Sequence, residues 1–264
     1  MSSCLVRRAL REVDRFFGAL RFFTRLPVPE RVGHHTEHLA RAMRYFPLVG
    51  LIVGTIGAFA WIVGSIFWES KGIAVLFALA ATLWVTGAFH EDGLADTADG
   101  FGGGWDKARI LEIMRDSRVG TFGMAAFVLV LLGRFQALVA LPETWIAVSL
   151  LAGHAASRFC AATLLRCMVY ARDGDDRAKA KPLARRPGGL DWCVAGVTAF
   201  LPSLLLPWRD VLWAWLFAAI ATFWLARLFH RWIGGYTGDC LGATQQAAEL
   251  AFYLGLLARL PPGQ

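Results

Sequence analysis

Residues 48–68 read LVGLIVGTIGAFAWIVGSIFW, a run of 21 residues without a charged side chain. About 20 consecutive apolar residues suffice for a helix to cross the hydrocarbon core of a bilayer. The whole chain of 264 residues is 56% hydrophobic and 18% charged, which is far from the balance of soluble domains. Residues 48–68 are therefore predicted to span a membrane, and Gly50 and Gly54 form a small-xxx-small pair that permits close helix contact.

Further apolar segments of similar character follow this first run along the chain. Soluble helical proteins rarely carry so many such segments, so a large soluble bundle is the less favoured interpretation. The sequence predicts an all-α fold, a polytopic transmembrane helical bundle with six to seven spans. The further candidate spans are 72–89, 121–141, 145–165, 192–208, 211–228 and, more weakly, 245–260.

The net charge of +7 is distributed unevenly. Nine Lys and Arg residues precede Pro47, four lie in 90–120 and seven in 166–190. The alternate connections hold only Lys71 and Arg209. Because basic residues concentrate in cytoplasmic loops, the three basic segments are predicted to be cytoplasmic. This distribution disfavours nucleic acid as a partner.

The N-terminal segment carries an amphipathic pattern. Leu10, Val13, Phe17 and Leu20 recur at helical spacing with arginines between them, which is typical of an interfacial helix on an anionic membrane surface. A helix packed on the bundle would show the same pattern. We predict one integral membrane domain over 1–264, with 1–47 as a basic cytoplasmic or interfacial segment and 48–264 as the transmembrane bundle with cytoplasmic catalytic loops.

Residues 90–104 read HEDGLADTADGFGGG and directly follow an apolar run. Asp92, Asp96 and Asp99 are spaced i, i+4 and i+7, so their carboxylates can share one helix face. Such carboxylates repel one another, and a hard cation such as Mg²⁺ prefers oxygen ligands. The motif predicts a Mg²⁺ site formed by these three aspartates. Asp92, Asp96 and His90 are the candidate catalytic groups, and Asp92 or His90 is considered as the proton acceptor.

Candidate substrate-binding residues lie after the acidic motif and again near the C-terminus. Glycines let backbone N–H groups approach a phosphate closely, and arginines supply positive charge for a diphosphate or anchor the chain at lipid headgroups. The stretch GGYTGD at 234–239 adds a hydroxyl and a carboxylate. The candidates are Gly102, Gly103, Arg115, Arg118, Thr237 and Asp239.

Several ionisable residues fall inside predicted spans. His154 and Arg158 lie one helical turn apart in one span, and Glu249 lies in the last, where an unpaired carboxylate would be costly. Arg134 is also deep within its run, too far from the lipid edge for its side chain to reach the headgroups easily. We expect His154 and Arg158 to pair with Glu249 or Asp239 across the bundle interior.

Five blocks of the sequence belong together: FTRLPVP (23–29), YFPLVG (45–50), HEDGLADTADG (90–100), IMRDSRVGTFG (113–123) and GGYTGD (234–239). In combination they resemble the cobalamin synthase family. The resemblance implies a polytopic inner-membrane enzyme that requires Mg²⁺. It implies that adenosylcobinamide-GDP is joined to α-ribazole or α-ribazole 5′-phosphate, giving adenosylcobalamin or its 5′-phosphate and GMP. The acidic motif of the family maps onto Asp92, Asp96 and Asp99 without a gap.

In the implied reaction, a late step of cobamide assembly, the ribazole 3′-hydroxyl attacks the phosphorus bonded to the cobinamide arm and GMP leaves. Metal and arginine would stabilise the charge that builds on the phosphate oxygens. The implied partners are the two substrates and the lipid bilayer. A homo-oligomer and an association with other cobamide-assembly enzymes stay open.

Two other functions compete with this one. A CDP-alcohol phosphotransferase also displays carboxylates at a membrane edge, but its motif requires an arginine where Asp96 follows Ala95. A divalent-cation transporter would place its carboxylates near the middle of the spans, whereas these lie at the end of one.

Overall fold

The computed structural model describes residues 2–29, 32, 42–172 and 186–258. Within them the fold is all-α, as predicted, with an isolated β-bridge between Tyr170 and Tyr236. Parts of the basic segments predicted to be cytoplasmic lie outside the described residues, namely 30–31, 33–41 and 173–185. The helices are α1 Ser2–Phe23, α2 Phe46–Phe67, α3 Lys71–Thr86, α4 Phe89–Gly103, α5 Lys107–Ile113, α6 Thr121–Ala140, α7 Glu143–Cys167, α8 Gly189–Phe200, α9 Trp208–Ile233 and α10 Gly238–Leu257.

The chain is a multi-pass membrane protein with fewer full-length spans than the sequence predicts. Helices α3 and α4 together qualify as a further candidate span bent by 86°. By length and composition the described residues thus offer four or five candidate spans, where the sequence predicts six to seven. The segment 192–208 falls largely in a shorter apolar helix, and 245–260 falls largely in α10, where buried polar side chains interrupt the apolar character. The four helices long and apolar enough to cross a membrane are Met43–Phe67, Thr121–Ala140, Glu143–Cys167 and Trp208–Ile233.

Helices α2 and α7 pack with their backbones in contact. A Cβ on Gly50 would collide with the backbone of His154, and one on Gly54 would lie 2.7 Å from the carbonyl oxygen of Leu150. The predicted small-xxx-small contact is therefore present. It holds α7 against α2 at the turn that carries His154.

A sharp bend separates α3 from α4. Gly87 (φ 65°) and Ala88 (φ 57°) both adopt the left-handed region, which is easy for glycine and uncommon for alanine. Their N–H groups donate to the carbonyls of Trp84 and Leu83 in the last turn of α3. The bend turns the acidic motif across the end of the bundle instead of extending α3.

One end of the bundle, called the site end below, gathers α4 with the starts of α2, α6 and α10 and the ends of α3, α7 and α9. The N–H of Arg25 donates to the carbonyl of Val85 at 2.8 Å, which ties the segment after α1 to the end of α3. The N–H of Ala171 donates to the carbonyl of Tyr236 at 2.9 Å, which ties the segment after α7 to the start of α10.

Helix α1 lies against the site end through its C-terminal half. Leu20 and Phe23 are buried, and the Phe23 ring lies 4.5 Å from that of Phe46. In the preceding turns, Leu10 and Val13 are 62% and 44% exposed. The helix therefore packs on the bundle at one end and presents uncovered apolar side chains at the other, as an interfacial helix does.

Apolar side chains form two clusters, one at the site end and one in the opposite half of the bundle. Along α6, Val130 packs on the first cluster and Leu138 belongs to the second, with Arg134 between them. Arg134 pairs there with Glu249 of α10. A buried polar layer thus separates the two apolar clusters.

Candidate active site

A cavity of about 640 Å³ lies at the site end, where α1, α4, α7 and α10 meet. Its lining combines aromatic rings with charged side chains. The aromatic rings include those of Phe22, Phe23, Phe46 and Phe89. The charged residues of the lining are Asp92, Arg115, Arg158, Arg172 and Asp239, with His90 beside them.

Two glycines let α4 and α10 approach closely. A Cβ on Gly93 would lie 2.9 Å from the carbonyl oxygen of Asp239, and one on Gly242 would lie 3.0 Å from a carbonyl oxygen of α4. A larger residue at either position would push the helices apart. The contact carries Asp239, in the first turn of α10, beside Asp92 and Asp96 of α4.

We call Asp92, Asp96 and Asp239 the acidic cluster. Asp96 is half-buried, and the negative charges of Asp92 and Asp239 act on it. Burial raises the pKa of Asp239, although Arg172 acts in the opposite direction. Nη2 of Arg172 donates to Oδ2 of Asp239 at 3.1 Å. The cluster therefore holds more negative charge than this one arginine balances.

The donor set of the acidic cluster fits a hard divalent cation. Its candidate ligands are carboxylate oxygens, which Mg²⁺ prefers, and a bound cation would relieve the repulsion among them. Across the described ranges, no three Asp, Glu, His or Cys side chains already converge as metal ligands. The cluster thus suits Mg²⁺ in chemistry and charge, and the metal site stays a prediction.

Asp99, the third predicted Mg²⁺ ligand, accepts hydrogen bonds from the backbone at the start of α6. Its Oδ2 accepts the N–H of Gly120 at 2.6 Å and its Oδ1 accepts that of Gly123 at 2.8 Å. The carboxylate therefore satisfies free N–H groups at the start of α6 and lies at the positive end of the helix dipole. A Cβ on either glycine would collide with this carboxylate, so the contact requires a residue without a side chain at both positions.

His90 lies in the first turn of α4 and lines the cavity together with Asp92. It is 3% exposed, and its ring stacks on that of Phe23 with 5.5 Å between the centroids. Nε2 of His90 has no hydrogen-bond partner in the described part of the chain. Both residues considered as proton acceptors, His90 and Asp92, therefore reach the cavity.

Two of the six predicted substrate-binding residues, Arg115 and Asp239, line the cavity. Gly102 and Gly103 belong to the last turn of α4 rather than to a loop. A Cβ on Gly102 would lie 2.5 Å from the ring of Phe122, so this glycine permits close packing. A contact between either glycine and a phosphate stays a prediction.

Arg118 and Thr237 have partners within the protein. Arg118 is exposed and donates to Asp116 from Nη2 at 2.6 Å, which lowers the pKa of Asp116 to about 2. The hydroxyl of Thr237 accepts the N–H of Cys240 at 3.3 Å as the N-cap of α10. The same hydroxyl donates to Asp239 at 3.3 Å, so Thr237 helps to orient a carboxylate of the acidic cluster.

Beneath the cavity, Glu249 is fully buried and accepts four hydrogen bonds. Arg134 donates to it at 2.6 Å, Gln245 at 2.6 Å, His154 at 3.1 Å and Tyr253 at 3.1 Å. The expected pairing of His154 with Glu249 is confirmed. Four neutral or positive donors around one carboxylate stabilise its charge inside the bundle.

Arg134 connects Glu249 to a second carboxylate. Its Nη1 donates to Gln246 at 2.9 Å and lies 3.5 Å from Oε1 of Glu91, to which Gln246 also donates at 2.9 Å. We call this set of buried residues around Arg134 and Glu249 the polar network. Glu91 precedes the acidic cluster in α4, so the polar network holds that helix from below.

Sequence reasoning missed two arginines of the site. Arg158 was expected to pair with Glu249 or Asp239, whereas the structure places it in the lining of the cavity. Arg172, to which the sequence assigned no role, pairs with Asp239. A signal for the polar network was present, because Gln245, Gln246 and Glu249 stand together in a segment predicted to be a span. The partner of each group depends on how α7 and α10 face each other, which local sequence does not reveal.

Comparisons with known proteins identify the family of the chain. Residues 15–257 match the family model described as Cobalamin-5-phosphate synthase. No solved structure matches the chain. A protein of Shewanella woodyi named adenosylcobinamide-GDP ribazoletransferase is 46% identical over 254 residues, covering 93% of this chain and 96% of that protein.

Proteins with the same name in other bacteria are similarly close. One of Shewanella pealeana is 43% identical over 249 residues, which is 93% of this chain and 95% of that protein. One of Vibrio cholerae is 42% identical over 255 residues, which is 94% of this chain and 95% of that protein. With a family model that spans nearly all of it and relatives aligned over almost their full length, the chain belongs to the cobalamin-5-phosphate synthase family.

Proposed function

We propose that this chain is an adenosylcobinamide-GDP ribazoletransferase, as its relatives are named. It transfers the adenosylcobinamide phosphate moiety to α-ribazole or its 5′-phosphate and releases GMP, a late step of cobalamin assembly. The observation that carries this proposal is the cavity itself. The cavity brings Asp92 and Asp239 together with arginines and aromatic rings at one end of the bundle, and the chain that forms it belongs to this family.

The lining of the cavity suits the reacting parts of both substrates. Arginines bind phosphate oxygens, and aromatic rings such as Phe23 and Phe89 stack on a planar base such as that of ribazole. The corrin macrocycle is too large for a cavity of about 640 Å³. We therefore expect the phosphate-bearing arm to enter while the macrocycle stays at the mouth.

The Mg²⁺ would be held by Asp92, Asp96 and Asp239 and would stabilise negative charge on the phosphate oxygens. Asp92 or His90 accepts the proton of the ribazole 3′-hydroxyl as its oxygen bonds to the phosphorus on the cobinamide arm. The bond from this phosphorus to the oxygen of GMP breaks, and the electron pair leaves with GMP. Arg115 balances the charge that develops on the phosphate oxygens.

The site end is proposed to face the cytoplasm from the inner membrane. Its described loops carry Arg44, Arg115 and Arg118, whereas Lys71 and Arg209 are the basic residues near the opposite connections, which supports this orientation. Because Cys167 and Cys193 are exposed, Arg118→Cys is made in a chain whose Cys4, Cys167 and Cys193 are replaced by serine. A membrane-impermeant thiol reagent should label it in opened vesicles but not in intact cells, with the same chain carrying Arg118 as control. Labelling in intact cells would place this end outside.

Membership of the family favours this transfer over the CDP-alcohol phosphotransferase and the cation transporter. The partners under this proposal are the two substrates and the lipid bilayer. A homo-oligomer and an association with other cobamide-assembly enzymes stay predictions.

The proposal is tested with the full chain in detergent, supplied with adenosylcobinamide-GDP, α-ribazole and Mg²⁺. We expect GMP and adenosylcobalamin in equal amounts, and no GMP when Mg²⁺ is chelated. Asp96→Asn should abolish turnover while the protein still inserts and unfolds at the wild-type temperature. Failure of the wild type to form GMP would reject the reaction, and normal Mg²⁺-dependent turnover by Asp96→Asn would reject the metal assignment.

A further inference from the structure

Arg158 occupies an unusual position in this bundle. It lies in α7, one turn beyond His154, and is 2% exposed, yet it belongs to the lining of the cavity. A buried guanidinium is stable only when its N–H groups and its charge find partners. The partners of Arg158 therefore indicate whether it belongs to the protein interior or to a ligand.

The protein supplies very few of those partners. An arginine has five N–H donors. Nη1 of Arg158 donates to the carbonyl of His154 at 3.0 Å and lies 3.3 Å from Nδ1 of the same residue. Because His154 uses Nδ1 to donate to Glu249, that nitrogen has no lone pair to offer Arg158. Nε of Arg158 has no partner within the described residues. One backbone carbonyl is thus the only well-formed acceptor that these residues give it.

The carboxylates near Arg158 are engaged elsewhere. Both oxygens of Glu249 accept bonds from other side chains. Oε1 of Glu91 accepts from Gln246, and its Oε2 has no hydrogen-bond partner, Arg158 included, among the described residues. Asp239 pairs with Arg172. In the parts of the chain that the structure describes, no carboxylate forms an ion pair with Arg158. Glu249 and Glu91 act on the charge of Arg158 without a direct bond to it. The cavity is therefore where its unpaired N–H groups can meet a ligand.

We propose that Arg158 binds phosphate oxygens of a substrate at the inner end of this cavity, and that the diphosphate of adenosylcobinamide-GDP is the group it holds. The inference rests on the proposed function and adds a residue to it. The planar fork of arginine matches two oxygens of a phosphate, and charge-assisted bonds of this kind are strong when they are shielded from water. Arg158 would then hold the diphosphate from within the bundle, in a cavity that Asp92 and Asp239 also line.

The test compares three variants of the full chain in detergent. Arg158→Met removes the charge and the donors but keeps a long side chain, and Arg158→Lys keeps the charge without the fork. Arg227→Met is the matched control, because Arg227 is exposed on α9, where it lies over the ring of Phe223 at 5.9 Å. With α-ribazole as acceptor, the only substrate phosphates belong to the donor.

We expect Arg158→Met to raise the KM for adenosylcobinamide-GDP by about 10- to 100-fold, because the substrate then loses one or two charge-assisted hydrogen bonds. Arg158→Lys should recover part of this loss, and Arg227→Met should match the wild type. A KM that rises for α-ribazole 5′-phosphate alone would assign Arg158 to the acceptor phosphate. Unchanged KM values for both substrates would overturn the proposal.

A binding measurement separates this inference from the proposed reaction. Inorganic pyrophosphate and GDP, each with Mg²⁺, should raise the unfolding temperature of the wild type and of Arg227→Met but not that of Arg158→Met. If Arg158→Met does not fold, the same comparison is made with Arg158→Lys, which should show a smaller shift than the wild type. Equal shifts in the wild type and both Arg158 variants would refute phosphate binding by Arg158, whether or not the wild type forms GMP.

Discussion

Two arginines are buried in this bundle to almost the same degree, Arg134 at 1% exposure and Arg158 at 2%, and they have opposite surroundings. Arg134 has Glu249, Gln246 and Glu91 as acceptors. Arg158 has one backbone carbonyl and a cavity. The difference indicates that a buried charge satisfied by its own protein holds helices together, whereas one left open to a cavity is available to a substrate.

The largest stability effect is expected in the polar network. Glu249→Leu should lower the free energy of unfolding by about 3–5 kcal/mol, because it leaves Arg134 buried without its main counter-charge. Combining it with Arg134→Met should restore much of the loss, since both charges are then absent. Denaturant unfolding in detergent measures both values. If Glu249→Leu unfolded like the wild type, Arg134 would not be held by this pair.

The next effect tests the glycine contact that positions His154 and, through its carbonyl, Arg158. Gly50→Ala should cost about 1–3 kcal/mol of stability, because its Cβ would meet the backbone of α7. Gly72→Ala is the matched control, since its Cβ would meet only ordinary contacts, the nearest at 3.5 Å. Unfolding of the two variants at the same temperature would show that α2 and α7 are not closely packed at this turn.

A smaller effect separates two roles of Asp99. Asp99→Ala should lower the free energy of unfolding by about 1–2 kcal/mol, because N–H groups at the start of α6 lose their acceptor. Chemical unfolding gives this value, and the Mg²⁺ concentration for half-maximal GMP release reports on ligation. A stable variant that needs far more Mg²⁺ would make Asp99 a ligand rather than a cap.

The smallest effect is expected at the surface. Arg118→Ala should leave the unfolding temperature unchanged, because its ion pair with Asp116 is exposed to solvent. Its predicted role in substrate binding would appear as a higher KM in the GMP assay. A marked loss of stability would mean that the 113–123 block depends on this pair.

Much of the architecture follows from local sequence. The apolar runs predict a membrane bundle, and the acidic motif predicts carboxylates at a helix end, because both depend on neighbouring residues. The bend at Gly87 and Ala88 was not predictable, since alanine rarely adopts the left-handed region. The sequence also overstated the number of spans, because apolar length does not reveal that α10 carries the polar network inside the bundle.

Long-range contacts account for the rest of the difference. Asp239 joins Asp92 and Asp96 because glycines let α10 approach α4, and these residues are far apart in sequence. Asp99 caps α6 through a contact that only the folded chain forms. The distinction between Arg134 and Arg158 likewise depends on which face α10 presents to each of them, and no pattern within one helix encodes it.

GMP release per folded molecule, compared between Asp92→Asn and Glu249→Gln, is the most direct test of this division between a reacting cavity and a supporting network. Asp92→Asn should unfold like the wild type and lose about 10²- to 10⁴-fold in rate. Glu249→Gln should unfold at a lower temperature, while its folded fraction keeps most of the wild-type rate. The reverse pattern, with an active Asp92→Asn and a stable but inactive Glu249→Gln, would move the chemistry from the cavity into the network.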